Sequence, residues 1–269
     1  MRSSRPEGDA AMGGAPCSKT ARFARRVMTG YIDLHCHWVV GIDDGVKTVA
    51  DSRALLTGLA GAGFGKVVAT PHMRPGMFDN TKGDLARAYE ATRQALADAP
   101  GLPELALSSE HFFDDVVYER LMRGDALPYP GERAVLVELS PRAFPARLAS
   151  RFADLRRKKK LRPVLAHPER YEPVWNDRTV LDPLLDGGVV LLLDVASLVG
   201  KYGRAARKCA EALLEEGYYY AACSDAHRPG DVEDVAAGIE HLHRALGAAE
   251  ARDMLIEGPL SILEGRVDS

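Results

Sequence analysis

No apolar run in the sequence approaches the ~18 residues needed to span a bilayer. The longest aliphatic one, Val189 to Leu193, has the length of a buried strand, so stable membrane insertion is not expected. Cysteine is scarce: Cys17, Cys36, Cys209 and Cys223 form no CxxC pair and no regular framework. That excludes a disulfide scaffold and thiolate-rich structural zinc, and it favours a reduced, cytoplasmic protein. Charge of one sign is missing too. A formal net charge of −3 gives no global field for nucleic acid or an anionic membrane, so no nucleic-acid partner is expected. An anionic substrate would need local positive charge. The first 30 residues lack the apolar middle of a secretory signal. Residues 1–30 read as a disordered tail, with an over-long start before Met28 as the alternative.

What remains is an ordinary globular composition, 46% hydrophobic and 27% charged. From Tyr31 onward, short apolar runs alternate with amphipathic patterns. Seven runs read as strands: Tyr31–His35, Lys66–Thr70, Leu105–Ser109, Ala134–Leu139, Arg162–Ala166, Val189–Val195 and Tyr218–Ser224. Several are continuously apolar, as parallel strands covered on both faces are. Helical patterns run over Asp51–Ala62, Lys82–Ala97, Ala146–Lys158, Ala205–Glu216 and Val232–Leu246. The βα alternation predicts an α/β fold with a parallel, closed or nearly closed TIM-like barrel. Residues 31–269 are expected to form a single domain.

Polar residues gather at the strand ends. His35 and His37 are two apart on strand one and so share a face. Alone, such a pair is more often structural. However, His72, Glu110, Glu138, His167, Asp225 and His227 end or follow other strands, and Asp44 lies in the loop after the first. Active sites of barrels form at that end. Five of the eight histidines stand there. Burying so many polar groups beneath one mouth requires a compensating partner, and bound cations supply it. The mixed N/O set suits manganese, iron or zinc better than a pure magnesium or calcium site.

These segments resemble the PHP (polymerase and histidinol phosphatase) superfamily. They are closer still to its branch of bacterial manganese-dependent protein-tyrosine phosphatases from capsule and exopolysaccharide loci. The resemblance rests on Asp33-Leu34-His35-Cys36-His37, Gly41-Ile42-Asp43-Asp44-Gly45, Ala69-Thr70-Pro71-His72, Ala166-His167-Pro168-Glu169-Arg170, Ser197-Leu198-Val199-Gly200-Lys201-Tyr202-Gly203 and Ser224-Asp225-Ala226-His227, in that order. It implies a distorted seven-stranded (β/α) barrel with His35, His37, Asp44, His72, Glu110, Glu138, His167, Asp225 and His227 as ligands. Two or three divalent ions would be held, manganese first, with Glu110 or Glu138 bridging. The implied reaction is hydrolysis of phosphotyrosine by a metal-activated hydroxide. The implied partner is a phosphotyrosine protein, a bacterial tyrosine autokinase of polysaccharide synthesis. A homo-oligomer is compatible with it. Departures lie at Ser108-Ser109-Glu110-His111, Trp38-Val39-Val40 and Asp194-Val195-Ala196, where the branch usually differs.

Arg170 and Arg228 directly follow ligand motifs and are the candidate catalytic residues, each with a planar fork for phosphate. The bland reading of each is an ion pair with a ligating carboxylate. Arg74, Ser197 and His111 are weaker candidates; Glu169 reads as structural, Asp43 as a helper of Asp44 or a turn cap, and Cys36 as core. Cysteine-based phosphatase chemistry is excluded, because the position six after each cysteine is Phe23, Ile42, Glu215 or Pro229, never arginine. Two alternatives stay open: a phosphoesterase of small phosphomonoesters such as histidinol phosphate or a nucleotide, and a non-catalytic metal-binding regulator.

Overall fold

The computed structural model describes residues 30–267; the tail expected over residues 1–30 lies almost wholly outside them. Among the described residues nine strands form: β1 (Tyr31–Cys36), β2 (Phe64–Ala69), β3 (His72–Met73), β4 (Glu104–Leu107), β5 (Glu110–Phe112), β6 (Ala134–Glu138), β7 (Arg162–Ala166), β8 (Val190–Asp194) and β9 (Tyr219–Cys223). Every pairing between them is parallel. They make one sheet of order β1-β2-β4 and another of order β3-β5-β6-β7-β8-β9. A parallel bridge from Cys36 to Ala226 joins β1 to the segment after β9. Helices fill the connections, giving a mixed α/β fold.

Two expected strands, Lys66–Thr70 and Leu105–Ser109, end early, and each is followed by a short strand beyond its expected end. The second run stops at Ala69 and resumes at His72, because Pro71 has no N–H to donate to a ladder. The third stops at Leu107 and resumes at Glu110. The two breaks are tied together: Ser109 Oγ donates to Pro71 O at 2.8 Å, and Ser108 N donates to Ala69 O at 2.8 Å. Each break restarts a strand on a candidate ligand.

The apolar residues divide by strand face. One cluster includes Leu34, Val68, Leu136, Val164, Leu192 and Ala221, plugged by Tyr129 and Ile262. The larger one includes Val67, Val137, Leu165, Leu191 and the helices that pack on them. Strand β1 changes sides within itself. Its register slips between Asp33 and Cys36, so that Leu34 joins the first cluster and Cys36 the second. Such bulges re-aim side chains beside functional sites.

The helices follow their caps. Thr48 accepts from Asp51 N to start Val49–Gly61, and Thr81 with Asp84 forms a capping box for Lys82–Ala95. Helix Asp115–Arg123 was not read from the sequence, although Asp114 caps it and Gly124 ends it in the left-handed region. The expected Ala146–Lys158 helix is shorter, Leu148–Asp154, and continues as a π-helical turn over Leu155–Lys159. The expected Val232–Leu246 helix reaches Arg252 by passing a kink at Gly247. Strand β8 ends at Asp194 rather than Val195, because the Asp194 carboxylate accepts from Ala196 N and starts a 3-10 turn. No helix among the described residues is long and apolar enough to cross a membrane.

Candidate metal centre

All nine residues expected as ligands come together: His72 and Glu110 where β3 and β5 begin, Asp44 in the loop after β1, and the rest at or just past the C-terminal ends of β1, β6, β7 and β9. Their atoms form four overlapping groups, each within 4.8 Å: His37, Asp44, His72 and His227; His35, His167 and Asp225; His35, His37 and Glu110; His72, Glu110 and Glu138. Glu110 is the hub. Its Oε2 lies 3.1 Å from His35 Nε2, 3.4 Å from His37 Nε2 and 3.1 Å from His72 Nδ1, and its Oε1 lies 3.2 Å from His167 Nε2. Asp225 Oδ1 stands 3.1 Å from His35 Nε2. Asp44, with its side chain 54% exposed, is the outermost member, 3.4 Å from His72 and 3.6 Å from His227.

These residues fit divalent cations. Two ligands bound at ~2.1 Å to one ion, at roughly right angles, lie about 3 Å apart. His35 Nε2 and His37 Nε2 are 3.1 Å apart with their rings tilted by 49°. Glu138 Oε2 is buried with no hydrogen-bond donor, and Asp225 Oδ1 is buried without an aligned one. Such orphaned carboxylate oxygens are costly unless a cation meets them. The electrostatics point the same way. Burial, and then the charge of Glu110, push Glu138 up to about 7. Burial, and then Arg170, push His167 down to about 4, which keeps its imidazole neutral as a ligand must be. Burial also opposes ionisation of Glu110, but His35 and His72 outweigh it and hold the carboxyl low.

The surrounding residues orient the ligands. Asp43 Oδ2 lies 2.7 Å from His37 Nδ1 and accepts from His72 N; Asp43 Oδ1 accepts from Gly45 N. The loop needs glycine at 45, since a Cβ there would sit 2.1 Å from His37 O. Asp33, on the first strand, accepts from His35 N, Ser224 N and Ser224 Oγ, tying β1 to the Asp225 turn. His167 (φ 34°) and Asp225 (φ 44°) both hold left-handed backbone, a strain that gathers at functional sites.

Arg170 is engaged by two carboxylates, Asp194 Oδ2 at 2.6 Å and Asp225 Oδ2, and its guanidinium lies 3.8 Å from the Tyr202 ring centroid. Arg228 leaves 79% of its side chain in solvent, with Nε 3.5 Å from Asp231 Oδ1. Glu169 is buried and accepts from Asp194 N, Ser197 Oγ and Tyr219 OH. Ser197 therefore supports Glu169. His111, a weaker candidate from the sequence, turns away from the ligand cluster. It is buried on β5, its Nδ1 2.9 Å from Leu136 O, and burial pushes it down to about 4. Cys36 is a core residue whose Sγ donates to Ala226 O. The sequence assigns Asp194 and Tyr202 no role at the site, although Asp194 ends the one strand otherwise left without a polar terminus.

The family described as capsular polysaccharide synthesis, CpsB/CapC, matches residues 31–264. The chain belongs to the CpsB/CapC family. Among its relatives is the tyrosine-protein phosphatase CpsB of Streptococcus pneumoniae, 24% identical over 241 residues, which cover 86% of this chain and 98% of the relative. Another is the tyrosine-protein phosphatase YwqE of Bacillus subtilis, 26% identical over 196 residues, covering 73% and 77%. The fold of this CpsB/CapC member is that of solved structures of YwqE and CpsB, described as unique metal-dependent tyrosine phosphatases. The match has a TM-score of 0.80 at 24% identity and covers 87% of this chain and 95% of the other.

Proposed function

We propose that this CpsB/CapC member is a metal-dependent protein-tyrosine phosphatase. The observation that carries the proposal is the set of four overlapping ligand groups, two of them containing Glu110, in a family whose named relatives are tyrosine-protein phosphatases. His35, His37, Asp44, His72, Glu110, Glu138, His167, Asp225 and His227 would hold two or three divalent ions, manganese first. Bound there, such ions lower the pKa of water and neutralise phosphate oxygens.

The chain's own residues prepare the site. Asp43 fixes the His37 ring, so that Nε2 faces the cluster. Arg170 is a positioning residue that acts through Asp225 and Asp194. Arg228, at the exposed rim, would meet the substrate as it arrives. A tyrosyl leaving group, with a pKa near ~10, departs as phenolate with modest need of a proton donor. The proposed physiological substrate is the phosphotyrosine-bearing segment of a bacterial tyrosine autokinase of polysaccharide export, met in the cytoplasm. We also read residues 31–269 as one domain. On that reading its two sheets, linked through the Cys36–Ala226 bridge and the two strand breaks, would together make a distorted seven-stranded barrel.

The test is elemental analysis of purified protein, paired with assays after chelation and after manganese is restored. Phosphotyrosine peptide should turn over only with metal. Turnover of small phosphomonoesters alone would instead support the small-molecule reading. No turnover of either by loaded protein would support a non-catalytic regulator.

A further inference from the structure

Three arginines stand close to the cluster, and two have carboxylate partners. Arg170 is held by Asp194 and Asp225, and Arg228 by Asp231. Arg74 differs: among the described residues no carboxylate lies within ion-pair distance of it, and its guanidinium rests 4.0 Å from the Phe112 ring centroid.

The placement is built rather than loose. Arg74 opens a tight hairpin directly after β3. Arg74 N donates to Phe78 O at 3.0 Å, and Phe78 N donates back to Arg74 O at 2.7 Å. The turn between them passes Gly76 in the left-handed region, φ 79°, and Asp79 Oδ1 accepts from Gly76 N. The hairpin is fastened to the cluster at its far end. The Phe78 ring lies parallel to the His72 ring, 3° between planes and 5.4 Å between centroids, and Asn80 Nδ2 donates to His72 O at 2.9 Å. The shelf beneath Arg74 is fixed as well. Phe112 is two residues past Glu110 on β5, hence on the same face, and it pairs in register with Glu138. Arg74 therefore stands beside the His72–Glu110–Glu138 group, half-buried, where its charge acts on Glu138 although, among the described residues, no carboxylate is close enough to pair with its fork. Stacking on an aromatic face keeps a guanidinium in plane and leaves its N–H edge free for a bidentate anion.

We propose that Arg74 is a substrate-binding residue whose guanidinium grips the phosphoryl oxygens, with Phe112 as the positioning residue that holds it. The identity of the anion rests on the phosphatase reading above. The geometry of the grip does not.

Inorganic phosphate, the product of any phosphomonoesterase, is the probe. It is titrated calorimetrically into full-length, manganese-loaded protein. Arg74→Ala should weaken binding roughly ten- to hundredfold, the worth of a charged hydrogen-bonding group. Arg74→Lys and Phe112→Leu should fall between the variant and the parent. Manganese content and thermal midpoint should stay unchanged in all three, which separates lost contact from lost structure. The proposal is overturned if Arg74→Ala binds phosphate within about threefold of the parent, or if the parent binds none. If the parent binds phosphate through Arg74 yet hydrolyses no phosphotyrosine peptide, the phosphatase reading fails and the assignment of Arg74 stands.

Discussion

Asp43 Oδ2 sits 2.7 Å from His37 Nδ1, both side chains sealed from solvent, so the carboxylate decides which nitrogen of the ring faces the cluster. It also accepts from the backbone of His72. One aspartate thus sets two candidate ligands.

Asp43→Ala should therefore reduce manganese affinity by roughly ten- to hundredfold, the usual penalty for losing an outer partner of a ligating histidine. Metal titration followed by calorimetry measures it. An unchanged affinity would show that the ring is held by packing alone.

Metal uptake should release protons through Glu138. Its carboxyl is raised to about 7, so in metal-free protein it is largely protonated below that pH. A cation needs the ionised form, so affinity should rise with pH through neutrality; His35, His37 and His72, raised by neighbouring carboxylates against the effect of burial, must give up protons as well. Glu138→Gln should flatten that rise. Proton release measured in two buffers of different ionisation enthalpy gives the answer, and equal slopes in parent and variant would refute it.

Glu169→Ala should destabilise the fold strongly. Three buried donors, Asp194 N, Ser197 Oγ and Tyr219 OH, lose their acceptor together. At about 1–3 kcal/mol for each unsatisfied group, a loss of at least ~3 kcal/mol is expected in denaturant unfolding. A loss under about 1 kcal/mol would mean that water replaces the carboxylate.

Cys36→Ala should leave turnover within a few-fold of the parent. The thiol lies between two candidate ligands in sequence, yet it is buried and burial raises its pKa well above the ordinary value. A thiolate nucleophile needs the opposite. Abolished turnover with manganese still bound would contradict this.

The candidate cluster was legible because chemistry-bearing residues recur at strand ends, where a parallel α/β fold collects them. All nine meet in the structure. Less legible were the residues that hold them. Asp33 shares a strand face with His35 and His37, and Asp43 adjoins Asp44, but such placement names no partner; the role of Asp33 comes from Ser224, distant in sequence. The strand breaks at Thr70-Pro71 and Ser108-Ser109 were half legible, since the apolar runs stop there, but nothing in the sequence says that pairing resumes in the other sheet. Proline was the available clue at the first. Arg74 was undervalued because its position after His72 says nothing of Phe112, 38 residues later, on which it rests.

The left-handed backbone of His167 and Asp225 bears on how the cluster should be dissected. At most ligands, alanine removes only a donor atom. At these two it also exchanges one strained residue for another with no polar side chain to ease the conformation, a cost of about 1–3 kcal/mol that has nothing to do with cation binding. An alanine scan would therefore overrate both positions. Asparagine tolerates that backbone and keeps the volume of aspartate, so Asp225→Asn isolates the charge, and ranking the cluster by contribution requires that substitution as its reference.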